Sequence, residues 1–244
     1  MTGCYITTSW DDGHPLDLRL ADLLAKYGLP GTFYIARDAE RGRVTASQIR
    51  DLASVFEVGA HTLRHGDLRR MSDDQAREEI VGSKDWIEQV TGRGCAMFCF
   101  PMGRFRKNQL PLVAGAGYVG ARTVELMSLD FPRPHGGTLV MGTTLQAFPH
   151  PQIDYLKNIV KRAAFKNLAN CLRCGLSRDW ARSAACLLAL AIRTRGVFHL
   201  WGHSWEIEQH GQWGPLENVL RLMHECREQA ASLTNGKICL SLRS

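Results

Sequence analysis

The chain has 244 residues, 45% hydrophobic and 22% charged, so it can bury a substantial core and is neither disordered nor fibrous. A net charge of +6 favours an anionic partner or surface, but its lysines and arginines form no dense tract, which argues against nucleic-acid binding. The longest apolar stretch, Ala184 to Ile192, is too short to cross a bilayer, and Cys4-Tyr5-Ile6 follows the start too closely for a secretory signal, so a cytoplasmic location is expected.

Cys4 to Ser9 reads as a strand that stops on Trp10-Asp11-Asp12-Gly13. Side chains alternate along a strand, so the two carboxylates share a face only if the strand has broken, which Gly13 permits. They are either a surface turn or two acids with two jobs. Leu16 to Tyr27 has leucines at helical spacing with Gly28 as the stop, and Thr32 to Ile35 is β-branched and aromatic, a second strand. Thr45 to Phe56 is helix-like with Ser47 as N-cap, and Glu57 to His61 is a short strand ending in a histidine. Ser72 opens a helix to about Thr91, with Ala76, Ile80, Val81, Trp86, Ile87 and Val90 as its buried stripe and Gly92 as its end.

Ala96 to Phe100 is a strand stopped by Pro101-Met102-Gly103, Leu110 to Ala116 a helix, and Tyr118 to Arg122 a strand. Within the Gly- and Pro-rich stretch from Met127 to Pro151, Thr138 to Gly142 is a sixth strand. Ile153 to Leu172 is helical and basic; an ordinary solvated face is its first reading, contact with an anionic membrane surface the rarer one. Ser177 caps a helix to Arg193, Gly196 to Trp201 is a strand, Leu216 to Ala231 a helix, and Lys237 to Leu242 a closing strand. Eight cysteines without framework spacing predict free thiols in a reducing compartment. Cys171-Leu172-Arg173-Cys174 is one CxxC without a second pair, read as two unremarkable thiols before structural zinc or redox chemistry.

Strands alternating with helices predict parallel βαβ units in one domain over 1–244, closing into a barrel with its chemistry at the carboxyl ends of the strands. The paired aspartates, His61 and His65, the Pro-Met-Gly turn, Arg122 and the segment from His199 to Glu206 all fall at such ends. His61 and His65, four apart, stack on one face if the chain coils after its strand, and with one carboxylate they form a His-His-Asp set that leaves positions open for water.

These residues resemble the motifs of the polysaccharide deacetylases, the carbohydrate esterase group with the NodB homology domain. Ser9-Trp10-Asp11-Asp12-Gly13 looks like the first motif, His61-Thr62-Leu63-Arg64-His65 the second, Phe100-Pro101-Met102-Gly103 the third and Trp201-Gly202-His203-Ser204 the last; Met127 to Arg195 carries little resemblance. The resemblance implies an α/β fold, a deformed (β/α) barrel of seven or eight parallel strands. It implies Asp12, His61 and His65 as metal ligands, Asp11 as general base and His203 as general acid, with an oxyanion donor in Pro101-Met102-Gly103 and Met102 the favoured N–H. The metal expected is zinc, with cobalt, nickel, manganese or iron(II) acceptable to the same donors.

The third motif often carries an arginine two residues before its proline, where this chain has Cys99; Arg122 on the next strand end would supply that charge, the alternative being a surface arginine. His199 competes with His203 for the acid role but sits within an apolar run, which favours a buried core histidine. Trp205 and Glu206 are candidate substrate contacts, with simple rim packing the alternative for the tryptophan; His135 is a weaker candidate. The expected reaction is metal-dependent removal of an N-acyl group, acetyl first, from an amino sugar or glycan precursor. Hydrolysis of a cyclic ureide, imide or formamide on the same fold is one alternative, and a catalytically inactive carbohydrate-binding protein the other.

Overall fold

A computed structural model of the chain describes residues 3–39, 42–175 and 177–243. β1 (Cys4–Asp12), α1 (Asp17–Lys26), β2 (Thr32–Ile35), α2 (Ala46–Val55), β3 (Glu57–Ala60), α3 (Asp73–Thr91), β4 (Met97–Cys99), α4 (Leu110–Gly115) and β5 (Gly120–Arg122) form a regular alternation. There follow β6 (Arg133–His135), β7 (Thr138–Met141), β8 (Leu145–Gln146), α5 (Gln152–Lys161), α6 (Leu168–Cys174), α7 (Trp180–Thr194), β9 (Val197–Gly202), α8 (Ser204–Gln209), α9 (Trp213–Glu225), β10 (Ala230–Ser232) and α10 (Asn235–Ser241).

The strands form one sheet in the order β6-β7-β5-β4-β3-β2-β1-β9-β8, with β10 paired to the start of β1. Every pairing is parallel except β6 with β7. β7 lies towards one end of that order and β8 at the other, yet only residues 142–144 separate them, a span of roughly 10 Å at full extension. The sheet must therefore curl until its ends approach, which gives the deformed barrel. Thr144 and Val197, bonded to His199 and Leu129 at 2.9 Å each, help to stitch the seam.

Among the described residues the expected seven or eight parallel strands become ten with one antiparallel, because β6 and β8 are too short to leave a periodic pattern. β6 contains Pro134, which an edge strand tolerates. The closing strand expected over Lys237 to Leu242 is helix α10: Thr234 caps it by accepting a hydrogen bond from the Lys237 N–H, and β10 takes the strand position.

The basic helix expected from Ile153 to Leu172 breaks after Lys161, where Ala163 adopts φ +51°. Thr45 rather than Ser47 caps α2, and Asp179 rather than Ser177 caps α7. The cysteine expectation needs a further correction: Cys174 is disulfide-bonded to Cys186, pinning α6 to α7, while Cys171 is free and buried. Among the described residues no helix is long and apolar enough to cross a membrane.

Trp10, Phe33, Phe98, Phe100, Phe198 and Leu200 are sealed in the core with Leu20 and Leu24 of α1. The motif-bearing strands β5, β4, β3, β1 and β9 lie on one continuous arc, interrupted only by β2. Parallel pairing aligns their carboxyl ends, and that rim carries the chemistry.

Candidate metal centre

β1 does not stop before its aspartates. It pairs with β2 through Asp12, opposite Ile35, and the turn is made at Asp12 itself, with φ +84°. A left-handed residue breaks the alternation of faces, so the two adjacent carboxylates approach one centre. Gly13 completes the turn at φ +72°, and a Cβ there would stand 2.6 Å from Ile35 Cγ2. Thr62, His65 and Met102 also have positive φ, so four of the seven such non-glycine residues among those described lie in the motif segments. Backbone strain of this kind persists only where the surroundings enforce it.

The histidine loop is enforced by Glu79, which sequence reasoning missed. This buried α3 carboxylate accepts the N–H groups of Leu63 and Arg64 at 2.8 and 2.9 Å. Its signal was present: Ala76, Glu79, Ile80, Ser83 and Ile87 are the buried stripe of α3, and a glutamate on such a stripe needs donors. The His65 N–H bonds Thr62 Oγ1 at 3.0 Å, and the rings of His61 and His65 come 4.8 Å apart without a helix between them.

His61 Nδ1–H donates to the Cys99 carbonyl at 2.9 Å, which turns Nε2 and its lone pair towards the aspartates. Burial pushes the His61 imidazolium down to about 4, so the ring is neutral at pH 7. Asp12 Oδ1 lies 3.7 Å from His61 Nε2 and 3.2 Å from His65 Nε2, yet it is buried and makes no hydrogen bond among the described residues. Burial alone would raise the Asp12 carboxyl; the imidazoles of His65, His203 and His61 outweigh it and hold the carboxyl well below the usual range.

One donor atom each from Asp12, His61 and His65 lies within 4.8 Å of the other two. An orphaned carboxylate oxygen facing two imidazole nitrogens fits a divalent cation. Asp11, His61 and Cys99 also converge, but burial holds the Cys99 thiol far above its ordinary range and Arg122 occupies Asp11, so that set fits a cation poorly.

Asp11 Oδ1 accepts from Arg122 Nη2, and its Oδ2 lies 4.0 Å from His61 Nε2. The register sets Cys99 opposite Arg122 across β4 and β5, so the guanidinium stands laterally beside the position of the missing third-motif arginine. Arg122 is fully buried between the rings of Tyr34 and Trp201, at 5.2 and 4.7 Å, with Nε and Nη1 unbonded. It is no surface arginine and no substrate contact: sealed in the core, it reaches the site only through Asp11.

Glu206 is likewise turned inward. Its Oε2 accepts His203 Nδ1–H at 2.5 Å and Gln146 Nε2–H at 2.8 Å, leaving His203 Nε2 to face Asp12 Oδ2 at 3.9 Å. Burial works against the His203 imidazolium, but the bond to Glu206 and the charges of Asp12 and Asp11 win and push it up to about 9. Trp205 donates its indole N–H to Asp12 Oδ2 at 2.9 Å. His199 lies in the core, bonded to Ser9 Oγ at 2.8 Å and the Gly142 carbonyl at 3.1 Å. Pro101 and Gly103 are buried and Met102 is 43% exposed at the tip of their turn.

Asp17 was also missed. It is buried at the start of α1, accepts Ser204 Oγ–H at 2.5 Å and has no bond to Oδ2. Burial pushes its carboxyl from 3.8 up to about 8. A raised acid favours the protonated fold, so stability is lost as pH rises from 3.8 through about 8. Asp17→Asn keeps an acceptor for Ser204 and removes that loss. In chelator-treated protein its gain in Tm is expected to be negligible in acid and to grow to its full size by about pH 8; an equal gain at every pH would contradict a buried neutral acid.

Residues 2–121 match the family model described as polysaccharide deacetylase. The peptidoglycan-N-acetylglucosamine deacetylase of Bacillus cereus is 24% identical over 108 residues, 43% of this chain and 38% of that protein. The chain spans less than half the length of the curated relatives it matches. Among solved structures, a family 4 acetyl xylan esterase from Clostridium thermocellum in complex with a cobalt ion aligns with a TM-score of 0.57 at 17% identity, over 98% of this chain and 91% of that one. The Puue allantoinase aligns with a TM-score of 0.68 at 14% identity, over 97% and 89%. At such identities the likeness to solved structures is one of fold.

Proposed function

The chain belongs to the polysaccharide deacetylase family, and on that premise we propose that it is a divalent-metal hydrolase that removes an N-acyl group, acetyl first, from an amino sugar. The observation that carries the reading is the convergence of Asp12, His61 and His65 donors within 4.8 Å, flanked by Asp11 on one side and His203 on the other.

Asp12, His61 and His65 would hold the cation, with zinc or cobalt the first choices. A cation held there would supply Lewis acidity, lowering the pKa of a water and polarising an acyl oxygen. Asp11, fixed by Arg122, receives the proton of the attacking water. The Met102 N–H belongs to the first residues of a tight turn, which have no partner within it, and is the donor offered to the developing oxyanion. His203, cationic at neutral pH and oriented by Glu206, gives a proton to the departing amine. Trp205 steadies Asp12 and leaves its partly exposed ring beside His203, 5.3 Å between centroids, as a face for a sugar.

The test is release of acetate from N-acetylglucosamine oligomers by zinc- or cobalt-loaded protein, run beside ring opening of allantoin. Acetate release that disappears with chelator supports the proposal. Allantoin turnover alone would transfer the site to ureide hydrolysis, and sugar binding without turnover would make this an inactive binding protein.

A further inference from the structure

A cavity of about 580 Å³ is walled in part by Gly103 and Thr123, the residues directly after Met102 and Arg122, while the candidate metal ligands themselves do not line it. Its lining carries seven lysine and arginine side chains against two carboxylates. Local pairing absorbs part of that charge: Asp67 takes Arg69 and Arg104 at 2.6 and 3.6 Å, and Asp130 takes Arg133 at 3.1 Å together with Lys166. Lys107 and Lys161 make no ion pair among the described residues. Arg162 spends Nη2 on the Gly103 carbonyl at 3.0 Å and keeps Nε buried without a partner. Glu125, the remaining lining carboxylate, accepts from Asn167 Nδ2 at 3.0 Å and partly offsets the charge of Arg162, which leaves Lys107 and Lys161 as the cations without a carboxylate.

Cations gathered without counter-ions repel one another, and an oxyanion relieves that repulsion through charge-assisted hydrogen bonds. These come from separate walls, Lys107 beyond the third-motif turn and Lys161 with Arg162 at the end of α5. A ligand with several acceptor oxygens answers such a spread better than a single carboxylate does. Gly103 cannot be enlarged, since a Cβ there would meet Val124 Cγ2 at 2.4 Å and Arg162 Nη2 at 2.6 Å, so the guanidinium is fitted directly against the oxyanion turn.

We propose that this cavity binds a phosphate group carried by the substrate, which makes the amino sugar a phosphorylated one; the assignment rests on the hydrolase reading of the candidate metal centre. The phosphate has two sources, a soluble sugar phosphate or a lipid carrier. α5 turns Ile153, Lys157 and Val160 outward at helical spacing, and Phe165 follows, with Ile153 52%, Val160 65% and Phe165 61% exposed. An apolar face edged with lysines suits an anionic lipid surface.

Calorimetry on the metal-loaded full chain compares N-acetylglucosamine 1-phosphate with N-acetylglucosamine, before and after Lys107→Ala with Lys161→Ala. Both lysines are exposed, so the double variant should fold. The phosphorylated sugar is expected to bind at least about tenfold more tightly, less so at high salt, and the variant to lose that advantage with its cation content unchanged. Equal affinity for the two sugars, or an advantage that survives the double substitution, would overturn the site. A phosphate advantage without acetate release from either sugar would leave the site standing and remove the hydrolase reading instead. Sedimentation with phosphatidylcholine vesicles containing phosphatidylglycerol, abolished by Val160→Glu with Phe165→Glu, assigns the lipid-borne source; protein that stays in the supernatant assigns the soluble one.

Discussion

Asp11→Asn is expected to lower kcat for acetate release by about 10²- to 10⁴-fold while the cation stays bound, the range typical for loss of a positioned base. Asparagine still offers Arg122 an acceptor oxygen but has no basic oxygen for a proton. The three candidate ligands are untouched, because Asp11 Oδ2 approaches His61 Nε2 only at 4.0 Å, whereas Asp12 Oδ1 is the oxygen nearest both imidazoles. Steady-state rates and metal content measured on the same preparation check the two halves together. Full turnover in the variant would remove Asp11 from the chemistry, and loss of the cation would make it a ligand.

Arg122→Ala is expected to cost roughly 3–5 kcal/mol of stability, read as a large drop in Tm or in the denaturant midpoint, because it strands a buried carboxylate without its counter-ion. Asp11 and Arg122 are both buried, and the guanidinium also fills the space between Tyr34 and Trp201. Combined with Asp11→Asn, the loss should be smaller than the sum of the two single losses, since the second substitution removes the charge that the first one stranded. Strict additivity, or an Arg122→Ala protein as stable as the parent, would mean that Arg122 is not the counter-ion of Asp11.

What sequence could reveal here followed from locality. Asp11-Asp12-Gly13, His61 with His65, and Pro101-Met102-Gly103 each carry their chemistry within a few residues, and strand periodicity was enough to set them at strand ends. Arg122 was legible as a candidate only because β5 follows β4 closely; its pairing with Asp11 depends on register, Cys99 opposite Arg122, which one strand's sequence does not contain. Glu79 and Asp17 reach the site through tertiary contacts from helices whose patterns read as ordinary amphipathic faces. β6, β8 and the fate of Lys237 to Leu242 were decided by edge pairing and by the Thr234 cap, where short alternating apolar residues suit strand and helix equally. The Cys174–Cys186 bond joins residues on different helices with no local spacing to mark it, so Cys174 read as a free thiol in the sequence.

The assembly of remote segments around a divalent cation is tested most directly by titrating zinc or cobalt into chelator-stripped protein and following the heat. One equivalent should bind the parent chain, and His65→Ala and Asp12→Ala should each weaken that binding by at least about tenfold, since even groups that only support a ligand are typically worth that much. Unchanged affinity and stoichiometry in both variants would place the cation elsewhere and end the account.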